Sequence, residues 1–250
     1  MKAMILAAGY GTRLKPLTDN QPKALIAIEG YPLLQLTIQK MLAAGVTEIV
    51  INAHHFAEQI VAFIDEHRSF GIRIDVLKEK EILGTGGGLK NAQHFFDDGQ
   101  PFILHNVDIL STINLQKLYQ YHCQHDSLAT LAVQQRSSTR YLIMDEHHLI
   151  CGHEDLENQR LRLKRPPQGQ SFRVAFCGIH VISPAIFDHM LPSDRFSIID
   201  VYLNVMEKQL PVLGYPVDQN IWMDIGKIAA LKEVQQQLND GTLSISQLIN

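Results

Sequence analysis

Residues Met1 to Leu25 read MKAMILAAGYGTRLKPLTDNQPKAL, and this stretch determines the fold class and the site that the sequence predicts. The almost wholly apolar run from Lys2 to Ala8 is typical of a parallel strand buried on both faces. The glycines of Gly9-Tyr10-Gly11 let backbone N–H groups approach an anion closely. Arg13 and Lys23 add two cations, so the loop after this strand is suited to bind a polyphosphate.

The segments after this loop alternate between helical and strand-like patterns. Apolar spacing predicts helices over 33–44 and 56–67, and strands over 48–53 and 72–77. Strands that alternate with helices imply right-handed crossovers and a mostly parallel sheet with helices on both sides. Ligands bind at the carboxyl ends of the strands in such sheets, which is where the opening loop lies.

A second glycine-rich stretch, Glu79 to Asn91, reads EKEILGTGGGLKN. Because glycine is a poor helix former, Gly86 to Gly88 predict a close backbone approach or a left-handed conformation just before a helix over 89–96. The flat face of a nucleobase could lie against this segment. The alternative interpretation is a flexible turn, with Thr85 as the N-cap of the helix.

Two aspartates at predicted strand ends are candidates for a metal site. The apolar run Pro101 to Asp108 ends in Asn106-Val107-Asp108, and Asp224 follows Ile221-Trp222-Met223. A carboxylate at the end of a buried strand is costly unless it is paired or bound to a cation, and Mg²⁺ is commonly held by one or two carboxylates plus substrate phosphates. The alternative is that each aspartate caps a helix, near residue 114 or over 227–238.

Composition and charge limit the class of protein. A chain of 250 residues with 46% hydrophobic residues can bury a large core. The net charge of −4 and the lack of a basic run argue against a nucleic-acid partner. Three cysteines without CxxC spacing indicate neither a disulfide framework nor a zinc site. No apolar run reaches about 18 residues and no charged leader precedes the first strand, so we expect a cytoplasmic protein without a membrane partner.

Further segments extend the pattern to the end of the chain. Strands are predicted over 128–134 and 172–183, a polar region of short alternating segments over 140–163, and a short helix over 184–190. We expect a single domain over 1–250 that ends in a C-terminal helix over about 227–239.

The opening stretch resembles the signature of a known family. Leu6-Ala-Ala-Gly-x-Gly-Thr-Arg-Leu-x-Pro-Leu-Thr-Asp, followed by Pro22-Lys23-Ala24-Leu25, is similar to the motif of the sugar-1-phosphate nucleotidylyltransferases, or nucleotide-sugar pyrophosphorylases. The Thr-Gly-Gly-Gly segment looks most like the N-acetylmuramate-1-phosphate uridylyltransferase and mannose-1-phosphate guanylyltransferase branches, and Trp222-x-Asp224-x-Gly226 resembles the closing motif of the family. The resemblance implies an α/β fold with a Rossmann-like, mostly parallel mixed sheet flanked by helices, the glycosyltransferase-A-like nucleotidyltransferase fold. It also implies a nucleotide-binding half over about 1–110 and a sugar-binding half over about 111–226, in which the polar region over 140–163 is expected to build the sugar pocket.

The resemblance also implies an activity and roles for particular residues. The enzyme would transfer a nucleotidyl group from an NTP, with UTP or GTP favoured, to a sugar 1-phosphate, giving an NDP-sugar and pyrophosphate with Mg²⁺ as cofactor. Arg13 would hold the pyrophosphate, Lys23 would neutralise charge around the α-phosphate, and Asp108 and Asp224 would bind the Mg²⁺. The expected nucleotide-binding residues are Ala7, Ala8, Gly9, Gly11, Thr12, Thr85, Gly86 and Gly87, and the expected substrate-binding residues are Asn106, Gly178 and Lys164.

The chain departs from the family pattern at two places. Val107 stands where relatives have glycine, and Lys164-Arg165-Pro166 lacks the acidic residue that usually precedes the lysine and proline. The first departure concerns how closely substrate approaches the backbone there. The second leaves the identity of the sugar and the role of Lys164 open.

Two functions from other classes remain open. A non-catalytic nucleotide-sugar sensor would be expected to have lost Arg13, Lys23 or an aspartate, and none is lost. A cytidylyltransferase acting on a non-sugar phosphate such as phosphocholine would need an aromatic and acidic cage, for which Tyr141, Trp222 and Glu154 are available. The expected partners are an NTP and a sugar 1-phosphate, with no nucleic acid or membrane, and the expected assembly is a monomer or small homo-oligomer.

Overall fold

The computed structural model describes residues 1–250 and divides the chain into two compact units. Unit 1 consists of Met1–Ile82, Leu104–Gln116 and Asn220–Asn250. Unit 2 consists of Leu83–Ile103 and Lys117–Gln219. Each unit is therefore assembled from segments that are separated in sequence, and the expected division into halves near residue 110 stays a prediction.

The mixed, mostly parallel central sheet flanked by helices, which the sequence predicts, is confirmed. The strands in chain order are β1 Lys2–Leu6, β2 Ala27–Ile28, β3 Tyr31–Pro32, β4 Glu48–Ala53, β5 Arg73–Lys78, β6 Phe102–Asn106, β7 Ile109–Ser111, β8 Ala129–Gln134, β9 Arg140–Asp145, β10 Ile150–Asp155, β11 Arg160–Leu163, β12 Ser171–Ile182, β13 Val212–Pro216 and β14 Trp222–Asp224. The α-helices are α1 Leu33–Ala43, α2 Ala57–Glu66, α3 Gly84–Asn91, α4 Leu115–Gln124, α5 Ile198–Glu207, α6 Ile228–Asn239 and α7 Ile245–Ile249. Short 3₁₀ helices span Thr12–Leu14, Lys23–Leu25, Arg68–Gly71, Gln93–Phe95 and Pro184–His189. No helix is both long enough and apolar enough to cross a membrane.

In unit 1, strand β4 pairs in parallel with β1 on one side and with β5 on the other. The carboxyl ends of these three strands therefore share one edge, as the alternation of strands and helices predicts. The predicted bounds of β4 are confirmed at both ends, and those of α1, α2 and β5 agree within about one residue. Helix α1 begins after Pro32 and ends before Gly45, whose φ of 85° suits the position that follows a helix.

The last segment of the chain is also part of unit 1. Strand β14 pairs antiparallel with β7, with Asp224 opposite Ile109. Helices α6 and α7 follow β14 and pack their apolar sides into a buried cluster with the opening segments of the chain. The fully or nearly buried members of this cluster are Leu14, Ile26, Ile28, Leu33, Leu36, Leu110, Ile225, Leu231, Val234, Leu243 and Leu248.

One buried lysine links three parts of unit 1. Lys40 on α1 is 4% exposed, and its Nζ donates to the carbonyl oxygens of Ser111 at 2.9 Å and Leu248 at 3.3 Å. These carbonyls belong to β7 and α7. Burial lowers the pKa of Lys40 to about 8, because the charged ammonium is less well solvated there than in water. The two carbonyl acceptors partly compensate for this loss of solvation.

Unit 2 contains the remaining strands. Strand β8 pairs antiparallel with β12 and parallel with β13, and β9, β10 and β11 continue antiparallel from the first half of β12. The pairing of β12 with β8 shifts register between Phe176 and His180. Gly178 lies within this irregularity with φ of 71°, a left-handed conformation that other residues adopt only at a cost. Gly178 is therefore required by the bend in the strand itself.

The prediction for the glycine-rich stretch was wrong about its helix. Gly86, Gly87 and Gly88 lie inside α3, which ends at Asn91, and a separate 3₁₀ turn follows over Gln93–Phe95. Thr85, the N-cap in the alternative interpretation, is also inside the helix, so that interpretation is wrong as well, and the Thr85 hydroxyl accepts the N–H of Ile198 at 2.9 Å. Packing overrides the low helix propensity of glycine here, because only residues without a side chain let this helix lie against its neighbouring segment.

Candidate active site

The glycine-rich loop after β1 is folded back against the residues that follow it. The carbonyl oxygen of Gly11 accepts the N–H of Leu14 at 2.9 Å and the hydroxyl of Thr18 at 3.0 Å. A Cβ atom on Gly11 would lie 2.9 Å from the Thr18 methyl carbon and 3.1 Å from Lys23 Cβ. The loop and Lys23 are therefore held side by side, at the edge where β1 ends. Gly9 has open space around it and is exposed.

The two candidate metal ligands are brought together by the β7–β14 ladder. Asp108 immediately precedes β7 and Asp224 ends β14, and the N–H of Ile225 donates to the carbonyl oxygen of Asp108 at 2.8 Å. Lys23 Nζ donates to Asp108 Oδ2 in a direct ion pair. Asp108 does not cap a helix through this oxygen, and the cap of α6 is Lys227 and not Asp224. The alternative interpretation of Asp224 as a helix cap is therefore wrong.

Asp224 lies in an unusual electrostatic environment. Burial raises the pKa of its carboxyl group, and the nearby negative charge of Asp108 raises it further, while Lys23, Arg13 and a hydrogen bond from the backbone of Gly226 act in the opposite direction. The Oδ1 atom of Asp224 is buried and has no hydrogen-bond partner. An unpaired buried carboxylate oxygen beside a second carboxylate is the arrangement expected of a cation site.

Arg13 reaches the same cluster from the opening loop. A Cβ atom on Gly226 would lie 2.6 Å from a guanidinium nitrogen of Arg13 and 2.6 Å from Asp224 Oδ1. Gly226 therefore leaves the space in which Arg13 and Asp224 approach each other. Two cations and two carboxylates, from three separated parts of the sequence, thus meet within unit 1.

The residues of this cluster fit a magnesium ion. Asp108 and Asp224 offer only oxygen donors, which Mg²⁺ prefers, and one or two carboxylates suffice when substrate phosphates and waters complete the shell. The structure has no group of three or more His, Cys, Asp and Glu residues that could hold a metal by themselves. The unpartnered oxygen of Asp224 is the feature that favours a bound cation at this place.

Two further residues at the same edge were not singled out from the sequence. Asn52, at the carboxyl end of β4, accepts the N–H of Ala7 at 3.0 Å through Oδ1 and donates to Glu79 Oε1 at 2.7 Å. Glu79 follows β5 and is 7% exposed, and its carbonyl oxygen accepts a hydrogen bond from His54 Nδ1 at 2.8 Å. A polar residue at the end of an apolar strand is the signal that would have identified Asn52, whereas Glu79 follows a strand of mixed polarity and carries no such signal. They fix the start of the glycine-rich loop after β1.

In unit 2, the predicted base-binding glycines are packed against another part of the chain. The N–H groups of Gly86 and Gly87 both donate to the carbonyl oxygen of Phe196, at 3.0 and 3.3 Å. A Cβ atom on Gly86 would lie 2.4 Å from the Phe196 ring, and one on Gly87 would lie 2.1 Å from Asp194 O. The predicted close backbone approach is present, but the neighbour is protein. Contact with a base stays a prediction.

The predicted substrate-binding residues are divided between the units. Asn106 ends β6 in unit 1, and its carbonyl oxygen accepts from His105 Nδ1 at 2.8 Å. Gly178 and Lys164 lie in unit 2, where Lys164 Nζ forms an ion pair with Glu207 Oε2 at 2.9 Å. Helix α5 thus supplies an acidic partner that the local sequence of Lys164 lacks.

The residues suggested for a phosphocholine cage are engaged in other contacts. Glu154 forms an ion pair with Arg173 at 2.6 Å in unit 2. The hydroxyl of Tyr141 accepts the N–H of Ser138 at 2.9 Å. Trp222 lies on β14 in unit 1. These contacts do not favour recognition of a quaternary ammonium.

Comparisons with known proteins give a consistent result. A family profile described as nucleotidyl transferase matches residues 2–241. The chain is 30% identical over 245 residues to the N-acetylmuramate alpha-1-phosphate uridylyltransferase of Neisseria meningitidis serogroup B, an alignment that covers 94% of this chain and 97% of that protein. It is 30% identical over 237 residues to the mannose-1-phosphate guanyltransferase of Candida albicans, which covers 91% of this chain and 61% of that protein.

The solved structures extend the similarity to the fold. HddC from Yersinia pseudotuberculosis, complexed with GMP-PN, is similar with a TM-score of 0.74 and 21% identity, covering 95% of this chain and 99% of that one. This chain spans 61% of the length of the first mannose-1-phosphate guanyltransferases that it matches.

Proposed function

Because the chain belongs to the nucleotidyl transferase family, we propose that it transfers a nucleotidyl group from a nucleoside triphosphate to a sugar 1-phosphate, giving an NDP-sugar and pyrophosphate. The observation that carries this proposal is the cluster of Arg13, Lys23, Asp108 and Asp224 beside the glycine-rich loop. Relatives named for guanylyl and uridylyl transfer support GTP and UTP as the triphosphates.

The reaction follows from what these side chains can bind. An oxygen of the sugar phosphate attacks the α-phosphorus in line as pyrophosphate leaves, without a covalent enzyme intermediate, so positioning and charge neutralisation supply the catalysis. Arg13 grips two oxygens of the departing pyrophosphate with its planar guanidinium. Lys23 neutralises charge on the α-phosphate and on the incoming sugar phosphate. Asp108 and Asp224 would hold Mg²⁺, which when bound neutralises the reacting phosphates.

The base and the sugar contact other residues in this proposal. Thr85, Gly86 and Gly87 remain the proposed contacts of the base. The contact would be van der Waals contact with the helix, because the N–H groups of the two glycines already donate to the carbonyl oxygen of Phe196. Gly178 and Lys164 are proposed for the sugar phosphate. Lys164 must then exchange Glu207 for a phosphate, which is favourable because the ion pair is partly exposed and a phosphate carries more charge.

The decisive experiment is a panel of the four NTPs against several sugar 1-phosphates and phosphocholine, with Mg²⁺ present and pyrophosphate release as the readout. We expect release with UTP or GTP and at least one sugar 1-phosphate. Release with CTP and phosphocholine alone would replace the proposal by the cytidylyltransferase alternative. No release with any pair would contradict both.

Variants of the two aspartates test the cluster itself. Asp108→Asn and Asp224→Asn should each lower kcat by at least about 100-fold, because each removes a carboxylate that would hold the metal, whose charge neutralises the reacting phosphates. The matched control is Asp75→Asn, which removes an aspartate from the exposed surface of β5 and should leave kcat within about twofold. Near-normal turnover of both cluster variants would contradict the assignment of these aspartates.

A further inference from the structure

The ion pair between Lys23 and Asp108 places together two residues whose proposed ligands are different. Lys23 is proposed to bind phosphate and Asp108 to bind a divalent cation, yet Lys23 Nζ donates directly to Asp108 Oδ2. Their side chains are 11% and 23% exposed, so neither charge is fully hydrated. A carboxylate oxygen that accepts from an ammonium group cannot accept a divalent cation at the same place without strong repulsion between the two positive charges.

The charges of the whole cluster lead to the same conclusion. Arg13 and Lys23 balance Asp108 and Asp224, so the cluster is formally neutral before any ligand binds. A divalent cation alone would make it strongly positive. A nucleoside triphosphate brings more negative charge than the cation brings positive charge, and it offers Lys23 new acceptors. The cation and the triphosphate together are therefore bound more favourably than either one alone.

We propose that Lys23 acts as a placeholder for the divalent cation, occupying Asp108 in the free protein and moving to the triphosphate when the cation binds. This inference rests on the proposed function, since it assigns the cation and the triphosphate to the same cluster. Lys23 thereby couples the binding of the cation to the binding of the triphosphate. The cation binds weakly to the free protein, and its affinity rises when a triphosphate is present to accept hydrogen bonds from the ammonium group. By reciprocity, the cation raises the affinity for the triphosphate by the same factor.

Binding of Mn²⁺ to the full chain, followed by the electron paramagnetic resonance signal of free Mn²⁺, tests the proposal without any turnover. We expect Lys23→Met, which keeps the length of the side chain and removes its charge, to bind Mn²⁺ alone at least about tenfold more tightly than the natural chain. A non-hydrolysable analogue of UTP or GTP should tighten Mn²⁺ binding to the natural chain by at least about tenfold. The same analogue should tighten binding to Lys23→Met much less.

Two controls separate this effect from a general change of charge. Lys78→Met removes an exposed lysine of unit 1 that pairs with Glu58, and it should leave the Mn²⁺ affinity unchanged. Asp108→Asn in the Lys23→Met background should abolish the increase in Mn²⁺ affinity, because the carboxylate that Lys23→Met leaves free is then absent. Where Lys23→Met does not fold, as judged by circular dichroism, Lys23→Gln replaces it.

The outcomes distinguish the placeholder from the proposed function. Equal or weaker Mn²⁺ binding by Lys23→Met would overturn the placeholder, even if the enzyme releases pyrophosphate normally. An Mn²⁺ affinity of the natural chain that does not change with either nucleotide analogue would also overturn it, whatever the variants show. A gain of Mn²⁺ affinity in Lys23→Met together with no pyrophosphate release in the substrate panel would leave the competition for Asp108 intact and remove the proposed reaction.

Discussion

Replacing Gly87 by alanine should destabilise the protein, although alanine is ordinarily the better residue inside a helix. Alanine gains up to about 1 kcal/mol of helix propensity over glycine. Against this, the new Cβ atom would lie 2.1 Å from the carbonyl oxygen of Asp194 and 3.0 Å from Leu83 Cβ. The first neighbour is backbone, so the segment that carries Phe196 must move, and overpacking of this kind costs about 1 to 3 kcal/mol. A 2.1 Å contact with backbone is severe, so the cost should lie in the upper part of this range, and after the gain in propensity we expect a net loss of about 1 to 2 kcal/mol.

Urea unfolding followed by circular dichroism measures this loss as a lower midpoint at an unchanged slope. Gly86→Ala is the informative comparison, because its Cβ would lie 2.4 Å from the ring of Phe196 and 3.0 Å from the backbone carbonyl carbon of Ser197. Its closest neighbour is thus a side chain and not backbone, so its loss should be smaller. Asn91→Ala, at the exposed end of the same helix, should lose nothing measurable. A Gly87→Ala protein as stable as the natural one would refute the packing argument. If it also showed a raised KM for the triphosphate, the glycine would serve the base and not the fold.

Two further predictions concern charged side chains. Lys40→Met removes a lysine whose pKa is lowered by burial from 10.5 to about 8, so the unfolded chain keeps this proton to a higher pH than the folded chain does. The stability of the natural protein relative to the variant should therefore rise by about 1 kcal/mol between about pH 7 and pH 9. Urea unfolding at both pH values measures this difference, and a flat or falling difference would contradict the prediction. Lys164→Met should raise the KM for the sugar 1-phosphate severalfold in the pyrophosphate assay, whereas Glu207→Gln should not; equal effects of both would indicate that the pair has only a structural role.

Much of the fold can be predicted from local patterns. The apolar runs of β1 and β4 and the helical spacing of α1 are strong signals because burial in a sheet or on one helix face requires them. Helix α5 is absent from the sequence prediction, although the sequence carries a signal for it: Ser197 caps the helix by accepting the N–H of Ile199, and an apolar run follows. Strand β13 is also absent from the prediction, because a run of five residues is too short to show a clear strand pattern.

The state of Gly86 to Gly88 could not be predicted from local propensity. Nothing near these residues in sequence indicates that Phe196 and Asp194 will lie against them, so their helix depends on a contact more than 100 residues away. The candidate site is likewise predicted only in part by local patterns. Motifs single out Arg13, Lys23 and the two aspartates, but the register of β7 with β14 and the ion pair of Lys23 with Asp108 are long-range facts that no local pattern contains.

The composition of unit 1 from three separated segments has a consequence for synthesis of the protein. Lys23 and the apolar residues around it leave the ribosome long before β14 and α6, which complete their environment. At about 5 to 20 residues per second, the interval of about 200 residues lasts roughly 10 to 40 seconds. During that time unit 2 can be made in full while the charged cluster and its buried support are incomplete. Nascent chains at this stage would expose apolar surface, and chaperone binding or premature degradation should be concentrated in this window of translation.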